Sequence, residues 1–161
     1  VANDTPVTFQ TTRGSVSTGL SKTVDGEAIV FLAVGTDPGT LKVTATAAKA
    51  GGAIDLCVRP GPSAQLRLAA PVSSIPAGQT TVILALVQDA FGNPVADGTA
   101  VAFNATRGQV WPPVTQTRSG QAQVELVAPV QQGQVRVSAS AGRALDAIDV
   151  DVVAQPPTTA P

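Results

Sequence analysis

The sequence predicts an all-β chain of two tandem β-sandwiches, the first lacking its two N-terminal strands. Three observations lead there. Apolar residues alternate with polar ones over short runs such as Val7-Phe9-Thr11 and Leu41-Val43-Ala45-Ala47, the period-two pattern of half-buried strands. Gly, Pro and Asp clusters punctuate these runs, and no stretch reads as a convincing helix, because β-branched residues, Gly and Pro dominate. The third observation is an ungapped internal repeat at a constant shift of 94 positions.

The repeat pairs alternating apolar positions and turn glycines. Val1-Ala2 matches Val95-Ala96, and Val7-Thr8-Phe9 matches Val101-Ala102-Phe103. Thr12-Arg13-Gly14 matches Thr106-Arg107-Gly108, Val30 and Leu32 match Val124 and Leu126, and Gly39 matches Gly133. Ala53-Ile54-Asp55-Leu56 matches Ala147-Ile148-Asp149-Val150. Residues 1–60 thus form a partial repeat, 61–154 a complete one, and 155–161 a Pro/Thr-rich tail. The partial copy lacks everything corresponding to Gly61–Pro94, two strands' worth of chain.

In order, Val7, Phe9 and Thr11 make the first strand, which Arg13-Gly14 ends. Ser15 to Lys22 is a polar connection, and Asp25-Gly26 a turn. Ala28, Val30, Leu32 and Val34 form the next inward face, and Asp37-Pro38-Gly39 turns the chain again. Leu41, Val43, Ala45 and Ala47 follow, then a Gly51-Gly52 turn, then Ile54, Leu56 and Val58 as the last inward face. Cys57 falls on the opposite face of that strand; it reads as a small strand residue rather than an intermolecular disulfide partner. Arg59-Pro60-Gly61-Pro62 is a short, stiff linker.

The second copy opens with Leu66 and Leu68, turns through Ser74 to Gln79, and continues with a strand from Thr80 to Val87. The stretch Gln88 to Gly108 is the hub: a strand end, a Gly-Asn-Pro connection, a turn at Asp97-Gly98, then a strand on Val101, Phe103 and Ala105. Strands at 99–105, 122–128, 135–141 and 147–153 complete the copy. Seven short strands at this spacing fit a two-sheet sandwich of immunoglobulin type.

Four segments carry a family resemblance: Val87-Gln88-Asp89-Ala90-Phe91-Gly92-Asn93-Pro94-Val95, Val101-Ala102-Phe103, Ser119-Gly120-Gln121-Ala122-Gln123-Val124-Glu125-Leu126, and Gly133-Gln134-Val135-Arg136-Val137-Ser138-Ala139. With these the chain resembles bacterial Ig-like domains of group 1, the repeats of invasin- and intimin-like surface proteins. The resemblance covers all of copy two and the later strands of copy one. It implies a spacer or adhesion module on a bacterial surface, since most repeats of that family are spacers.

Composition excludes several function classes. Charged residues are 13% of the chain and net charge is -1, so there is no basic footprint for nucleic acid. No apolar run approaches the length of a membrane span. The lack of histidine removes the commonest general base and metal ligand, and a single cysteine excludes the usual thiolate zinc sites. The remaining carboxylates are scattered, so no catalytic residue, cofactor or metal is expected. Asp89, Asn93 and Asp97 surround one loop and could offer oxygen ligands to calcium, but Asx turn chemistry explains them better. Asn3-Asp4-Thr5 and Asn104-Ala105-Thr106 fit the N-glycosylation pattern at Asn3 and Asn104. Trp111, before Pro112-Pro113, is expected to cap one end of the sandwich, with an exposed glycan platform as the alternative.

Two strands are apolar on both faces. With Ile83, Ala85 and Val87 inward, Val82, Leu84 and Leu86 point out; with Ala28, Val30 and Leu32 inward, Ile29 and Phe31 point out. Such strands are usually covered on both sides, so these five residues are candidate interaction faces. A sandwich without its first strands also has an open core, which either preceding sequence or a neighbouring subunit would fill by strand addition. The expectation is an extracellular or cell-surface filament or stalk module whose partners are copies of itself or adjacent repeats. Two alternatives are an adhesion module binding a receptor or carbohydrate, and an accessory domain of a secreted enzyme.

Overall fold

The computed structural model describes residues 1–155, grouped in two compact units, Val1–Arg59 and a second that begins at Pro60. The Pro/Thr tail expected at the C-terminus lies, from residue 156 on, outside the described residues. Every regular element described is a β-strand.

The first unit holds β1 (Pro6–Thr11), β2 (Ser15–Val16), β3 (Leu20–Lys22), β4 (Leu32–Ala33), β5 (Gly39–Ala47) and β6 (Ala50–Val58). Four of them form an antiparallel sheet in the order β3-β1-β5-β6, and β2 pairs with β4 alone.

The second unit adds β7 (Gln65–Ala69), β8 (Ser74–Pro76), β9 (Thr80–Gln88), β10 (Ala100–Ala105), β11 (Gln109–Trp111), β12 (Val114–Gln116), β13 (Gln121–Val127), β14 (Gly133–Ala141) and β15 (Ala144–Val153). One sheet runs β12-β10-β14-β15-β8 and the other β11-β13-β9-β7. All pairings are antiparallel except β8 with β15. Leu66, Ile83, Val87 and Leu126 from one sheet and Val101, Phe103, Val135, Val137 and Val150 from the other form a single buried core. The period-two alternation over Thr80–Gln88 and Gln121–Val127 places these residues inward, since successive side chains of a strand point to opposite faces.

The units repeat each other in detail. Shifted by 94, β1, β3 and β5 coincide with β10, β12 and β14, and β2 and β6 coincide with most of β11 and β15. The polar scaffolding repeats too. Thr23 Oγ1 donates to Ala2 O at 2.7 Å and accepts the Thr5 N–H at 3.0 Å; Thr117 Oγ1 donates to Ala96 O at 2.9 Å and accepts the Thr99 N–H at 3.1 Å. Each threonine is buried with both hydrogen-bonding roles filled, as burial of a hydroxyl requires. Arg13 ties down the Asp37-Pro38 carbonyls as Arg107 ties down those of Gln131 and Gln132. Gly14 and Gly108 both have positive φ, and a Cβ on either would strike a carbonyl oxygen, that of Ala33 or of Val127.

Among residues 1–59, β7, β8 and β9 have no counterparts. Ser74–Pro76, expected to lie in a turn, is a strand: Ile75 is buried and its backbone runs beside Val152. Ser15 to Lys22, expected as a polar connection, holds the short β2 and β3. The strand expected over Ala28 to Val34 shrinks to Leu32–Ala33. Its equivalent β13 is held along its whole length by β9, and the first unit has no such partner. The inward faces differ accordingly. Val150 is fully buried and Phe103 nearly so, while their equivalents Leu56 and Phe9 are exposed and half-buried, and Ile54 is 58% exposed. Alternation sets the inward face of Ile54 and Leu56, but no second sheet within the unit covers it. Leu41 is the first unit's buried apolar side chain.

Candidate functional site

Two surfaces stand out, one on each unit. On the second unit it is the outer face of β11-β13-β9-β7. Val82, Leu84 and Leu86 project from β9 and remain partly exposed, Val82 at 42%. Their cross-strand neighbours on β13 are Glu125, Gln123 and Gln121, and on β7 Leu84 and Leu86 face Ala69 and Arg67. An aliphatic stripe thus runs beside a carboxylate and amide stripe on one sheet face.

Trp111 continues the row: it pairs with Glu125, which pairs with Val82. Trp111 is 65% exposed. The expected capping role is overturned, because Val110 is the β11 residue that faces the core and alternation turns Trp111 outward. Trp111, Pro112, Val82, Gln123 and Glu125 line a shallow hollow on this face. An indole beside amide and carboxylate groups can stack on an apolar surface while its neighbours accept or donate hydrogen bonds.

On the first unit the inner face is open. Val7, Phe9, Val43, Ile54 and Leu56 lie partly or largely exposed on β1, β5 and β6. Ile29 and Phe31, the expected outward pair, are 70% and 78% exposed and lie in irregular chain just before β4. The Phe31 carbonyl accepts the Ser17 N–H at 2.8 Å, and its N–H reaches Ser17 Oγ at 3.0 Å. The free edge of β6 belongs to the same opening: its end at Cys57 and Val58, with Arg59 after it, corresponds to the Asp151–Val153 end of β15 that β8 covers. The alternation in the sequence places this set inward; the shift of 94 maps Val7, Phe9, Val43 and Leu56 onto the core residues Val101, Phe103, Val137 and Val150, and Ile54 onto the partly buried Ile148.

The Asp89 side chain is engaged in hydrogen bonds within its own loop and with Gly61. Asp89 is 1% exposed, and its carboxylate accepts hydrogen bonds from the backbone N–H of Gly61 (3.0 Å), Phe91 (2.9 Å) and Asn93 (2.9 Å) and from Asn93 Nδ2 (3.1 Å). Burial acts to raise its pKa; the Gly61 N–H, the Asn93 amide group and the Asn93 and Phe91 N–H donors outweigh that and lower it to about 2. Asp97 instead accepts the Ser119 N–H. Among the described residues no group of three or more His, Cys, Asp or Glu is arranged to hold a metal.

The other sequence candidates lie on the surface. Asn104 is exposed on β10, and Asn3 is exposed with Oδ1 accepting the Asp25 N–H at 2.8 Å. Cys57 is an exposed free thiol on β6.

No family model and no curated protein matches the sequence. Among solved structures, the Escherichia coli adhesin FdeC matches at a TM-score of 0.64 and 18% identity, over 96% of this chain and 53% of FdeC. Invasin, described as a bacterial integrin-binding protein, matches at 0.57 and 22% over 96% of this chain and 33% of invasin. A glycosyl hydrolase family 2 member from Bacteroides cellulosilyticus matches at 0.52 and 16% over 92% of this chain and 22% of that one. The chain spans only about a third of invasin and about half of FdeC. In fold the chain is similar to the immunoglobulin-like domains of invasin and FdeC.

Proposed function

We propose that the chain is a structural module of an extracellular or cell-surface stalk or filament, made of tandem Ig-like repeats that bind other repeats or copies of themselves. One observation carries this reading: two units share strands and polar scaffolding position by position, yet one has an uncovered core face. An apolar face of that kind is stabilised by roughly 25 cal/mol for each Å² it removes from water, which drives it toward a partner. The surface location rests on likeness to adhesin folds. A non-enzymatic role accords with a chain that offers no histidine and whose one buried carboxylate is occupied by turn hydrogen bonds. The test is sedimentation of the 161-residue chain across a concentration series. Concentration-dependent association is expected; a compact monomer throughout overturns the reading.

The exposure of Trp111 favours a second reading, an adhesion module that binds a glycan or receptor through the Trp111, Gln123 and Glu125 face. Binding in glycan or receptor screens that Trp111→Ala abolishes, with oligomer size unchanged, would establish it. The third expectation, an accessory domain of a secreted enzyme, draws support only from the fold likeness to the glycosyl hydrolase.

A further inference from the structure

We infer that the outer face of β11-β13-β9-β7 pairs with the same face of a second copy of this chain, about a two-fold axis at Leu84, with Glu125 of each copy against Arg67 of the other. This rests on the module reading above, in which copies bind one another, and names the surface that one such contact uses.

The pattern of the face carries the inference. Strand pairing sets Glu125 beside Val82, Gln123 and Ala69 on either side of Leu84, and Arg67 beside Leu86. Val82 and Leu86 stand two residues before and after Leu84 on β9, so all three side chains share one face. The face is therefore balanced about Leu84. Val82 answers Leu86, and Glu125 on one flank answers Arg67, of opposite charge, on the other. Both charged residues are exposed. Among the described residues neither side chain makes an ion pair, whereas Lys42 and Arg136 each reach an aspartate.

A face balanced in this way complements itself. Let two copies meet about a two-fold axis that lies in the interface, passes Leu84 and runs perpendicular to the Glu125–Arg67 diagonal. Each end of the diagonal then lands opposite the other end, so one contact makes two ion pairs and brings Leu84 to Leu84. An axis along the diagonal would instead set like charges against each other, so the charges select the first arrangement. With about 4.8 Å between strands and about 6.8 Å between like-facing residues, the diagonal lies about 35° from the strands, and the strands of the two copies cross at about 70°, toward the orthogonal class of sheet packing. Four strands and the nine residues of β9 span at most roughly 600 Å² per copy, or roughly 1,200 Å² for the pair, the low end of specific interfaces. The pair is therefore weak and reversible, with aliphatic side chains at its centre and the charges at its margin.

The experiment follows sedimentation of the full chain at low salt, up to roughly 0.5 mM to suit a weak pair. Glu125→Arg or Arg67→Glu alone should weaken association about fivefold or more, because each turns two attractions into two repulsions. The double reversal should restore association to within about twofold of the unaltered chain, since the opposed charges return with their signs exchanged. Unchanged melting temperatures check that each variant folds. On a Cys57→Ser background, Leu84→Cys should be joined to its copy by a short bismaleimide, while Ala102→Cys, exposed on the outer face of the other sheet, should not. Single reversals without effect overturn the pairing and leave this face to the glycan or receptor reading. A double reversal as weak as the singles overturns it too, as does cross-linking at Ala102→Cys equal to that at Leu84→Cys. In all three cases the unaltered chain still associates and the module reading stands; a chain that stays monomeric at every concentration overturns both.

Discussion

Leu126 and Leu32 are the same residue at equivalent positions of the repeat, and truncating each to alanine measures what the second sheet contributes. Leu126 is 0% exposed, flanked in register by Val110 on β11 and Thr81 on β9. Leu32 is partly exposed and has only Val16 beside it. Removing a fully buried leucine side chain costs about 2–5 kcal/mol, the transfer term plus the cavity left behind. At about 3 kcal/mol, Leu126→Ala should lower the melting temperature of the second unit by roughly 12–24 °C. Leu32→Ala removes the same atoms, but part of that surface already meets water and no rigid opposite layer holds a cavity open. Its cost should stay below about 1.5 kcal/mol. Urea titration with exchange readout in β14 for the second unit and in β5 for the first separates the two effects. If Leu32→Ala destabilises β5 as much as Leu126→Ala destabilises β14, the first unit closes its own core and the reasoning from the open face is wrong.

Three further outcomes follow from single sites. Asp89 has a folded-state pKa of about 2 against an ordinary 3.8, so its contribution is complete above 3.8 and is lost as pH falls through about 2. Asp89→Asn should therefore lower the urea midpoint at pH 7 and flatten its decline over that acid window; an unchanged pH profile would contradict the assigned hydrogen bonds. Gly120 has φ +74°, and a Cβ there would sit 2.9 Å from Val87 O and 2.7 Å from Pro94 Cβ, so Gly120→Ala should cost about 1–3 kcal/mol by denaturant titration. Trp111→Ala, at an outward position, should shift stability by no more than about 0.5 kcal/mol in the same titration. A loss of several kcal/mol would mean that the indole packs inside.

The candidate faces were legible in part. Alternation through Ile83, Ala85 and Val87 put Val82, Leu84 and Leu86 on the outside, where the structure has them. Trp111 was read less well: the following prolines suggested an end cap, whereas its register on β11 makes it a face residue beside Glu125. Ser74–Pro76 looked like a turn because Pro76 and Gly78 surround it; a parallel pairing with a strand far along the chain turned three of its residues into a strand. Long-range pairing of that sort leaves no local signature.

What the amino-acid order determined alone was the direction of most strand side chains and the place of many turns, though not at Gly51-Gly52, which lie inside β6. Both are local: a strand alternates with period two, and a left-handed turn takes a residue such as Gly14, Gly26 or Gly39. The repeat then doubled every such statement. Whether an inward face is buried was decided only by the tertiary structure, because burial depends on a second layer contributed by other segments. Val150 has β7 and β9 in the opposite sheet and is dry, whereas its equivalent Leu56 has no such layer within its unit and stays wet.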